Sequence, residues 1–319
     1  MRSEIPEPGT ALIMASVSGG KDSTAMALHL KELGHDYKCT FADTGWEDPQ
    51  TYDYIREQLP KALGPIKWVR QEIELDERRE ALAKKYEERL GFHSAMVRLC
   101  LKKSIFPSRL RRWCTTELKV KPLKKYMWSF DESEYLVNAV GIRAEESVRR
   151  AQMPMFEWSS SMKMDVWRPL LDWTLQDVID IHKRHGLKPN PKYLQGAERV
   201  GCWPCVFARK AEVRRLGEDD VRVGILRAIE ADMTILQNDK RVAEGLEPVE
   251  ATGWFQARTG YVYDAEGNKK RDGGRWSIDK VVDWSRKGRG ANQQAELFAA
   301  AGADAGCVRW GFCDTGKEG

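Results

Sequence analysis

The sequence predicts an α/β fold, a doubly wound and mainly parallel sheet with a mostly helical, cysteine-containing C-terminal extension. Short apolar runs that suit single buried strands alternate with segments of helical spacing through the first half of the chain. Polar loops follow three of these runs, at the strand ends where parallel sheets bind ligands. The three loops are therefore expected to meet at one site.

The elements follow in a regular order. Strands are predicted at residues 11–16, 37–42, 66–69, 135–140 and 166–170. Helices are predicted at 24–33, 49–59, 75–90 and 175–185, the last with Thr174 as its N-cap. Beyond Val200 a cysteine-containing turn precedes a long helix at 219–244, and residues 245–290, with little periodicity, are expected to form loops. The expected domains are residues 1–174 and residues 175–319.

The first loop carries the strongest chemical signal. Residues 18–23 read Ser-Gly-Gly-Lys-Asp-Ser between a strand and a helix. Glycines allow several N–H groups to point at one place, and the helix start adds its positive end. Lys21 supplies a mobile positive charge, so the sequence predicts that this loop binds a phosphate or pyrophosphate group. Neither the Walker A spacing nor a G-x-G-x-x-G fingerprint is present.

Composition limits the remaining classes. The 52 Lys and Arg residues against 48 Asp and Glu give a net charge of only +4. The chain as a whole therefore lacks the strongly basic composition of many nucleic-acid-binding proteins. Basic clusters near residues 109–112, 119–125 and 209–215 leave a larger anionic partner open. The first ten residues lack the apolar segment of a signal peptide and no apolar run is of membrane-spanning length, so the expectation is a cytoplasmic protein without a membrane partner. Seven cysteines indicate thiol or metal chemistry rather than disulfides.

Four segments carry a resemblance to a known family. Residues 18–23 resemble the PP-loop signature of the ATP pyrophosphatase superfamily. Residues 41–51, 112–123 and 141–150 resemble, in order, the "DTG…PET", "R-x-C-[CT]-x-x-x-K-x-x-P-L" and "G-x-R-x-x-E-S-x-x-R" segments of the phosphoadenosine phosphosulfate (PAPS) reductase family. The likeness runs from about residue 11 to residue 215, and it is greatest for the branch found in phage and in DNA phosphorothioation systems.

The resemblance implies a nucleotide site for ATP or adenylylated sulfate with Mg²⁺. Lys21 and Asp22 would be catalytic, and Arg143 and Arg150 would hold phosphate oxygens unless they form surface ion pairs instead. Asp43 would bind ribose hydroxyls or a metal that bridges phosphates. The full expected set is Ser16, Ser18, Gly19, Gly20, Lys21, Asp22, Ser23, Asp43, Thr44, Gly141, Arg143 and Arg150.

The cysteines suggest a second centre. Cys202 and Cys205 form a C-x-x-C pair, and with Cys114 they match three of the four thiolates of an iron–sulfur adenylylsulfate reductase. The fourth ligand of a [4Fe–4S] cluster would be Cys313, with Cys307 or Cys100 as alternatives, and an open iron site is another. Zinc, redox-active thiols without metal and a structural turn also remain open. Trp203 and Trp310, each beside cysteines, are expected to shield the cluster, whereas Cys39 is expected to be a buried apolar residue.

The predicted function is ATP-dependent adenylation of a substrate, with release of AMP and pyrophosphate, coupled to sulfur transfer. The alternative is a sulfonucleotide reductase that releases sulfite, in which Cys313 attacks sulfur and a thioredoxin-like reductant resets it. That family's Glu-Cys-Gly-[Leu/Ile]-His segment is absent, which favours sulfur transfer. A third hypothesis is a non-catalytic nucleotide-binding module. The partners expected are the nucleotide and a sulfur donor or reductant, and a nucleic-acid acceptor stays open.

Overall fold

A six-stranded sheet forms the centre of the computed structural model, which describes residues 5–131, 133–256, 260–263, 266–272, 275–287 and 310. The strand order is β3-β2-β1-β4-β6-β5. All neighbouring strands are parallel except β5 and β6, which are antiparallel. The strands are β1 (Leu12–Ser16), β2 (Tyr37–Ala42), β3 (Ile66–Val69), β4 (Leu136–Ala139), β5 (Phe156–Ser159) and β6 (Met164–Trp167). The predicted α/β class is confirmed.

Helices follow the strands on both faces of the sheet, and side-chain caps fix where several begin. Asp76 and Ser94 accept from the backbone N–H groups of Arg79 and Val97, and Thr174 forms a capping box with Asp177. The helices are α1 (Lys21–Glu32), α2 (Pro49–Asp53), α3 (Leu59–Leu63), α4 (Glu77–Leu90), α5 (Ala95–Lys103), α6 (Trp113–Thr115), α7 (Lys121–Met127), α8 (Val148–Ala151), α9 (Leu175–Arg184) and α10 (Pro191–Leu194). π-helical turns at Tyr54–Gln58 and Thr116–Val120 join α2 to α3 and α6 to α7, and a 3₁₀ turn covers Ala144–Glu146.

The sequence analysis missed strand β5 and the helices α5, α6, α7, α8 and α10. Strand β5 has only four residues and forms one edge of the sheet, so it carries little period-two signal. Helix α5 is buried over most of its surface, from Ala95 to Leu101, and therefore lacks the polar face by which an amphipathic helix is recognised.

The C-terminal part is mainly helical, as predicted. It contains α11 (Lys210–Leu216), the long α12 (Asp220–Ala243), α13 (Ile278–Arg286) and two short antiparallel ladders, β7 (Phe255–Gln256) with β10 (Arg275–Trp276) and β8 (Gly260–Tyr263) with β9 (Lys269–Asp272). The expectation of loops throughout 245–290 is wrong for α13. Ser277 caps that helix, and its buried apolar side chains repeat over only nine residues, too few for a clear periodic signal.

Two apolar cores meet beside the loop after β2. One packs α1, α3 and α9 against the sheet. The other joins α5, α12 and α13 to Trp46 and to the surroundings of Cys114 and Cys202. This arrangement brings the loop that follows β2 into contact with both cores. Within the described residues, no helix is long and apolar enough to cross a membrane.

Candidate functional site

The loop at residues 17–20 lies where the order of the strands reverses direction. Strand β1 pairs with β2 on one side and with β4 on the other, so the β1–α1 loop and the loop after β4 open into the same crevice. Gly19 has a φ of +70°, which favours glycine. A Cβ on Gly141 would lie 2.7 Å from the carbonyl oxygen of Asp22, so glycine allows the end of β4 to approach the start of α1.

Hydrogen bonds within and behind this loop fix its shape. The Ser23 hydroxyl accepts from the backbone N–H of Ser18 at 3.1 Å and donates to the carbonyl of Gly20 at 3.0 Å. The Tyr193 hydroxyl accepts the backbone N–H of Lys21 at 3.2 Å, and a ring nitrogen of His182 lies 3.1 Å from the Lys21 carbonyl oxygen. The backbone of Lys21 is therefore held on both sides by the segment that contains α9 and α10.

Sequence reasoning missed the residues behind the loop. Asn190 donates to the carbonyl of Gly19 at 3.2 Å. His182, whose ring lies beside the Lys21 carbonyl, is buried, and this burial lowers its pKa. Trp310, expected beside the cysteines, instead packs its ring 5.2 Å from His182 and 5.8 Å from Tyr193. These residues lie 160 positions or more from the loop along the chain, and no local pattern in the sequence signals such contacts.

A chain of charges faces the crevice. The Lys21 ammonium lies 3.2 Å from Asp22 and 3.5 Å from the carbonyl oxygen of Glu198. Arg143 donates to Asp22 at 2.5 Å and also pairs with Glu145. Burial lowers the pKa of Arg143, but the carboxylates of Asp22 and Glu145 outweigh it, and the net shift is upward. Lys21, Asp22 and Arg143 thus form one connected group.

Arg150 occupies a different setting from Arg143. Its guanidinium pairs with Glu146, four residues earlier, and its side chain is 38% exposed, against 4% for Arg143. Arg143 therefore lies at the phosphate loop. Arg150 instead forms a surface ion pair, which the sequence analysis gave as the alternative to phosphate binding for both arginines.

Asp43 and Thr44 begin the loop after β2. The Asp43 carboxylate accepts from the backbone N–H of Gly45 and from the Tyr52 hydroxyl, each at 2.9 Å, and from Arg70 at 3.0 Å. Gly45 has a φ of +63°, and a Cβ there would lie 2.3 Å from the His93 carbonyl oxygen. Asp43 therefore holds this loop in place, through Tyr52 and Arg70, which sequence reasoning did not select.

Lys119 lies 3.7 Å from the Glu47 carboxylate and near three of the cysteines. In their charged forms Cys202, Glu47, Cys205 and Cys114 raise the pKa of Lys119 against the effect of its burial, and Cys202 contributes most. Cys202 lies 3.6 Å from Glu47, and their backbones form an isolated bridge. The loop after β2 therefore touches the C-x-x-C pair directly.

The environment of the thiols indicates metal-ligand or structural roles. Burial raises the pKa of Cys202, and it raises the pKa of Cys114 and Cys100 as well. Such thiols stay protonated and unreactive unless a metal displaces the proton. Cys39 is buried in β2, as expected. Cys307 and Cys313 lie outside the described residues, so their predicted roles are not addressed by the structure.

The described side chains do not form a site for a single metal ion. Within the part of the chain that the structure describes, no three His, Cys, Asp or Glu side chains lie close enough together to hold a single metal ion. Cys114, Cys202 and Cys205 all act on the charge of one side chain, Lys119.

One short segment connects the two centres. The Glu198 carbonyl oxygen contacts Lys21, and four residues later Cys202 contacts Glu47. Trp203 donates its backbone N–H to Trp46 at 2.8 Å. The segment from 198 to 205 thus runs from the phosphate loop to the cysteines.

The chain is similar in sequence to several known proteins. The phosphoadenosine phosphosulfate reductase domain family matches residues 12–208. An uncharacterized 37.8 kDa protein of Escherichia phage 186 is 34% identical over 232 residues, which cover 64% of this chain and 69% of the phage protein. The adenosine 5′-phosphosulfate reductase of Allochromatium vinosum is 34% identical over 114 residues, covering 36% of this chain and 40% of that enzyme. A crystal structure of phosphoadenylyl-sulfate reductase from Candida auris covers 62% of this chain and 82% of its own at 17% identity, with a TM-score of 0.42.

Proposed function

Since the chain belongs to the phosphoadenosine phosphosulfate reductase domain family, we propose that it adenylates a substrate with ATP and couples this step to sulfur transfer. One observation carries the proposal. The Glu198 carbonyl contacts the ammonium of Lys21, and the same segment continues to Cys202. One segment therefore contacts the phosphate loop and also belongs to the thiol centre, by which we mean Cys114, Cys202 and Cys205. In this proposal residues 1–174 bind the nucleotide and residues 175–319 supply most of the cysteines.

The phosphate loop supplies the binding groups. Backbone N–H groups at the start of α1 and the hydroxyl of Ser18 donate to phosphate oxygens. The Ser23 hydroxyl, whose proton goes to the Gly20 carbonyl, holds the loop in shape. Lys21 and Arg143 carry the positive charge, and Asp22 lies between them, 3.2 Å from one and 2.5 Å from the other. Ser16, Gly19, Gly20, Thr44 and Gly141 shape the crevice, and Asp43 holds the loop after β2 in place beside it. Arg150, expected to bind phosphate, is left out of the proposed set because it pairs with Glu146 at the surface.

The first step is attack by a substrate oxygen on the α-phosphorus of ATP. An oxygen–phosphorus bond forms, the bond to the β-phosphate bridge breaks, and pyrophosphate leaves. Lys21 stabilises the charge that develops on the leaving group, and Mg²⁺, when bound, would neutralise more of it. A thiolate or sulfide then attacks the substrate atom that carries the adenylated oxygen, the bond between that atom and the oxygen breaks, and AMP leaves with the electron pair.

The thiol centre is proposed to hold a [4Fe–4S] cluster through Cys114, Cys202 and Cys205, with Cys313 as the fourth ligand from the sequence pattern. When bound, the cluster would supply iron that holds sulfur for transfer. The positive charge of Lys119 suits this use, because an ammonium would stabilise the thiolates that metal binding would create.

Sulfonucleotide reduction is the second candidate, and the similarity to the Allochromatium vinosum reductase favours it. Here a thiolate of Cys313 attacks the sulfur of an adenylylated sulfate, and the sulfur–oxygen bond to the nucleotide breaks. A thioredoxin-like dithiol then releases sulfite and becomes oxidised. Under this candidate Cys313→Ser abolishes turnover of the sulfonucleotide.

An anaerobic product assay distinguishes the candidates. One arm contains ATP with Mg²⁺, and the other contains adenylylated sulfate or PAPS with a dithiol reductant. AMP and pyrophosphate from ATP support adenylation. Sulfite from the second arm, with ATP unchanged, contradicts it and supports the reductase. Tight nucleotide binding without turnover in either arm supports the non-catalytic module.

A further inference from the structure

Positive charge is concentrated in one part of the chain. Residues 102–125, the basic segment, contain nine Lys and Arg residues and one acidic residue, Glu117. The whole chain has a net charge of only +4, so the residues outside this segment are together net negative. The basic segment runs from the last turn of α5 into α7 and includes Cys114. It therefore gives one region of a weakly charged protein a strongly positive potential.

Most of these cations have no carboxylate partner. Among the described residues, Lys119 and Lys121 are the two that form ion pairs, with Glu47 at 3.7 Å and with Glu117 at 2.7 Å. Surface arginines on α4, α9 and α12 are, by contrast, paired with aspartate or glutamate. Like charges without partners repel one another in the free protein, and a bound polyanion relieves this repulsion.

A short turn displays three of the arginines. The Ser108 N–H donates to the Arg111 carbonyl at 3.1 Å, and the Ser108 hydroxyl accepts the N–H of Arg111 at 2.9 Å. Arg109, Arg111 and Arg112 are exposed, and Leu110 between them is 91% exposed. A guanidinium can hold two phosphate oxygens through parallel hydrogen bonds, so a turn of this kind suits a phosphate-bearing ligand.

This arginine turn, residues 108–112, lies against the thiol centre. The guanidinium groups of Arg109 and Arg112 lie 5.7 Å and 5.2 Å from the centre of the Phe207 ring. The backbone N–H of Phe207 donates to the Cys205 sulfur at 3.5 Å, and Cys114 follows Arg112 by two residues. A ligand on the arginine turn is therefore placed beside two of the cysteines.

The cations continue along a helical run that ends at an exposed aromatic ring. Residues 113–127 are helical without a break, which at 1.5 Å per residue gives a length of about 20 Å. Lys125 is exposed on this run, and Trp128 at its end is 51% exposed. The ammonium groups of Lys124 and Lys163 lie 4.2 Å and 5.7 Å from the Trp128 ring. An exposed ring among cations is a surface on which a nucleic-acid base can stack.

We propose that the basic segment binds a single-stranded nucleic acid, with its cations on the phosphates and Trp128 stacked on a base. The bases of a single strand are free to stack on an aromatic ring, whereas those of a duplex stack on each other. An acidic protein would also pair with the arginines, and Leu110 would suit an apolar pocket on it. Trp128 beside two lysines favours the nucleic acid, because cations and a stacking surface match both parts of a nucleotide. This binding needs neither ATP nor a metal, so the inference goes beyond the proposed function.

The test is fluorescence anisotropy of the full chain, without ATP, at several salt concentrations. The probes are single-stranded RNA, single-stranded DNA and duplex DNA of one length, with polyglutamate of equal charge as a competitor. The RNA and DNA arms identify the kind of strand. The variants are Arg111→Gln with Lys125→Gln, and Trp128→Ala. The matched control is Lys61→Gln with Lys183→Gln, which removes the same charge from exposed positions outside the basic segment.

The wild type is expected to bind at least one single strand, with an affinity that falls as salt rises. The Arg111 and Lys125 double variant should bind at least about tenfold more weakly. Its salt slope should fall by about 1.4, since each phosphate contact of a single strand contributes about 0.7. Trp128→Ala should weaken binding without a change in slope, and the control pair should bind as the wild type does.

Three results would overturn the proposal: no binding of either single strand, equal affinity for the duplex or for polyglutamate, and an equal loss in the control pair. Circular dichroism reports whether each variant folds. If the Arg111 and Lys125 double variant does not fold, wild-type affinity in Trp128→Ala overturns the proposal. Protein that turns over ATP but binds no nucleic acid overturns this inference alone and leaves the proposed function standing.

Discussion

The hydroxyl of Tyr193 accepts the backbone N–H of Lys21 at 3.2 Å, across a sequence separation of 172 residues. The Tyr193 ring also lies 5.2 Å from the Lys21 ammonium. Burial raises the pKa of Tyr193, so the phenol keeps its proton and stays neutral. One side chain from α10 thus positions both the backbone and the charge of the phosphate-loop lysine.

Tyr193→Phe is expected to weaken ATP binding about tenfold, because the loop N–H loses its partner at a cost of about 1–2 kcal/mol. Tyr54→Phe is the matched control, since that buried phenol donates to the Lys188 carbonyl. Isothermal titration calorimetry measures both. Equal losses in the two variants would show that Tyr193 acts through general stability alone.

Arg143 and Arg150 are expected to differ. Arg143→Gln removes the donor to Asp22 and should weaken nucleotide binding by about 2 kcal/mol or more, since it leaves a carboxylate without its buried partner. Arg150→Gln breaks a partly exposed pair with Glu146 and should cost less than about 1 kcal/mol. Titrations of both variants with ATP test this order. A larger loss in Arg150→Gln would place that arginine on the nucleotide.

Replacing Cys202 and Cys205 together by serine is expected to abolish the brown colour of anaerobically purified protein, because two of the proposed thiolate ligands are lost. Cys39→Ser, in β2 and away from Lys119, is the control and should keep the colour. Visible absorption and iron content provide the readout. Colour that persists in the double variant would place any cluster elsewhere.

The buried carboxylate of Glu230 predicts that the stability of the C-terminal part depends on pH. Its carboxylate accepts from the backbone N–H groups of Trp254 at 2.8 Å and Ile278 at 2.9 Å. Burial raises its pKa from 4.5 to about 7, although these two hydrogen bonds lower it. The folded state then binds more protons than the unfolded state, so stability present below pH 4.5 is lost as the pH rises to about 7.

The expected fall in the free energy of unfolding is about 1–3 kcal/mol over that range. Urea denaturation between pH 4.5 and 7.5, followed through Trp fluorescence, measures it. Glu230→Gln should flatten the dependence, while Glu244→Gln, at the exposed end of α12, should leave it unchanged. A flat profile in the wild type would contradict the raised pKa.

Local sequence patterns were sufficient for much of the fold. Strands β2 and β3 have the predicted bounds, because each is a short apolar run with a clear loop at its end. The start of α9 at Thr174 was also predicted, since the two residues of its capping box, Thr174 and Asp177, are close together in the sequence. The edge strand β5 lacks such a signal, and α5 has only its cap at Ser94, without a clear amphipathic pattern behind it.

The residues of the candidate site also differ in whether local sequence patterns could predict them. The phosphate loop and Arg143 could be selected from contiguous motifs, and the structure places them in one crevice. Tyr193, His182 and Glu47 could not, because their roles come from tertiary contacts with residues far along the chain or from burial. The boundary between domains at residue 174 stays a prediction, as do the roles of Cys307 and Cys313.

The most direct test of the account is the affinity for ATP of Lys21→Ala, measured by titration calorimetry beside the wild type and Lys31→Ala. Lys31 lies on the same helix, where its ammonium donates to the Ala62 carbonyl and faces away from the loop. We expect Lys21→Ala to bind at least about tenfold more weakly, a loss of about 1.4 kcal/mol, with Lys31→Ala unchanged. Wild-type affinity in Lys21→Ala would contradict the assignment of the β1–α1 loop as the nucleotide site.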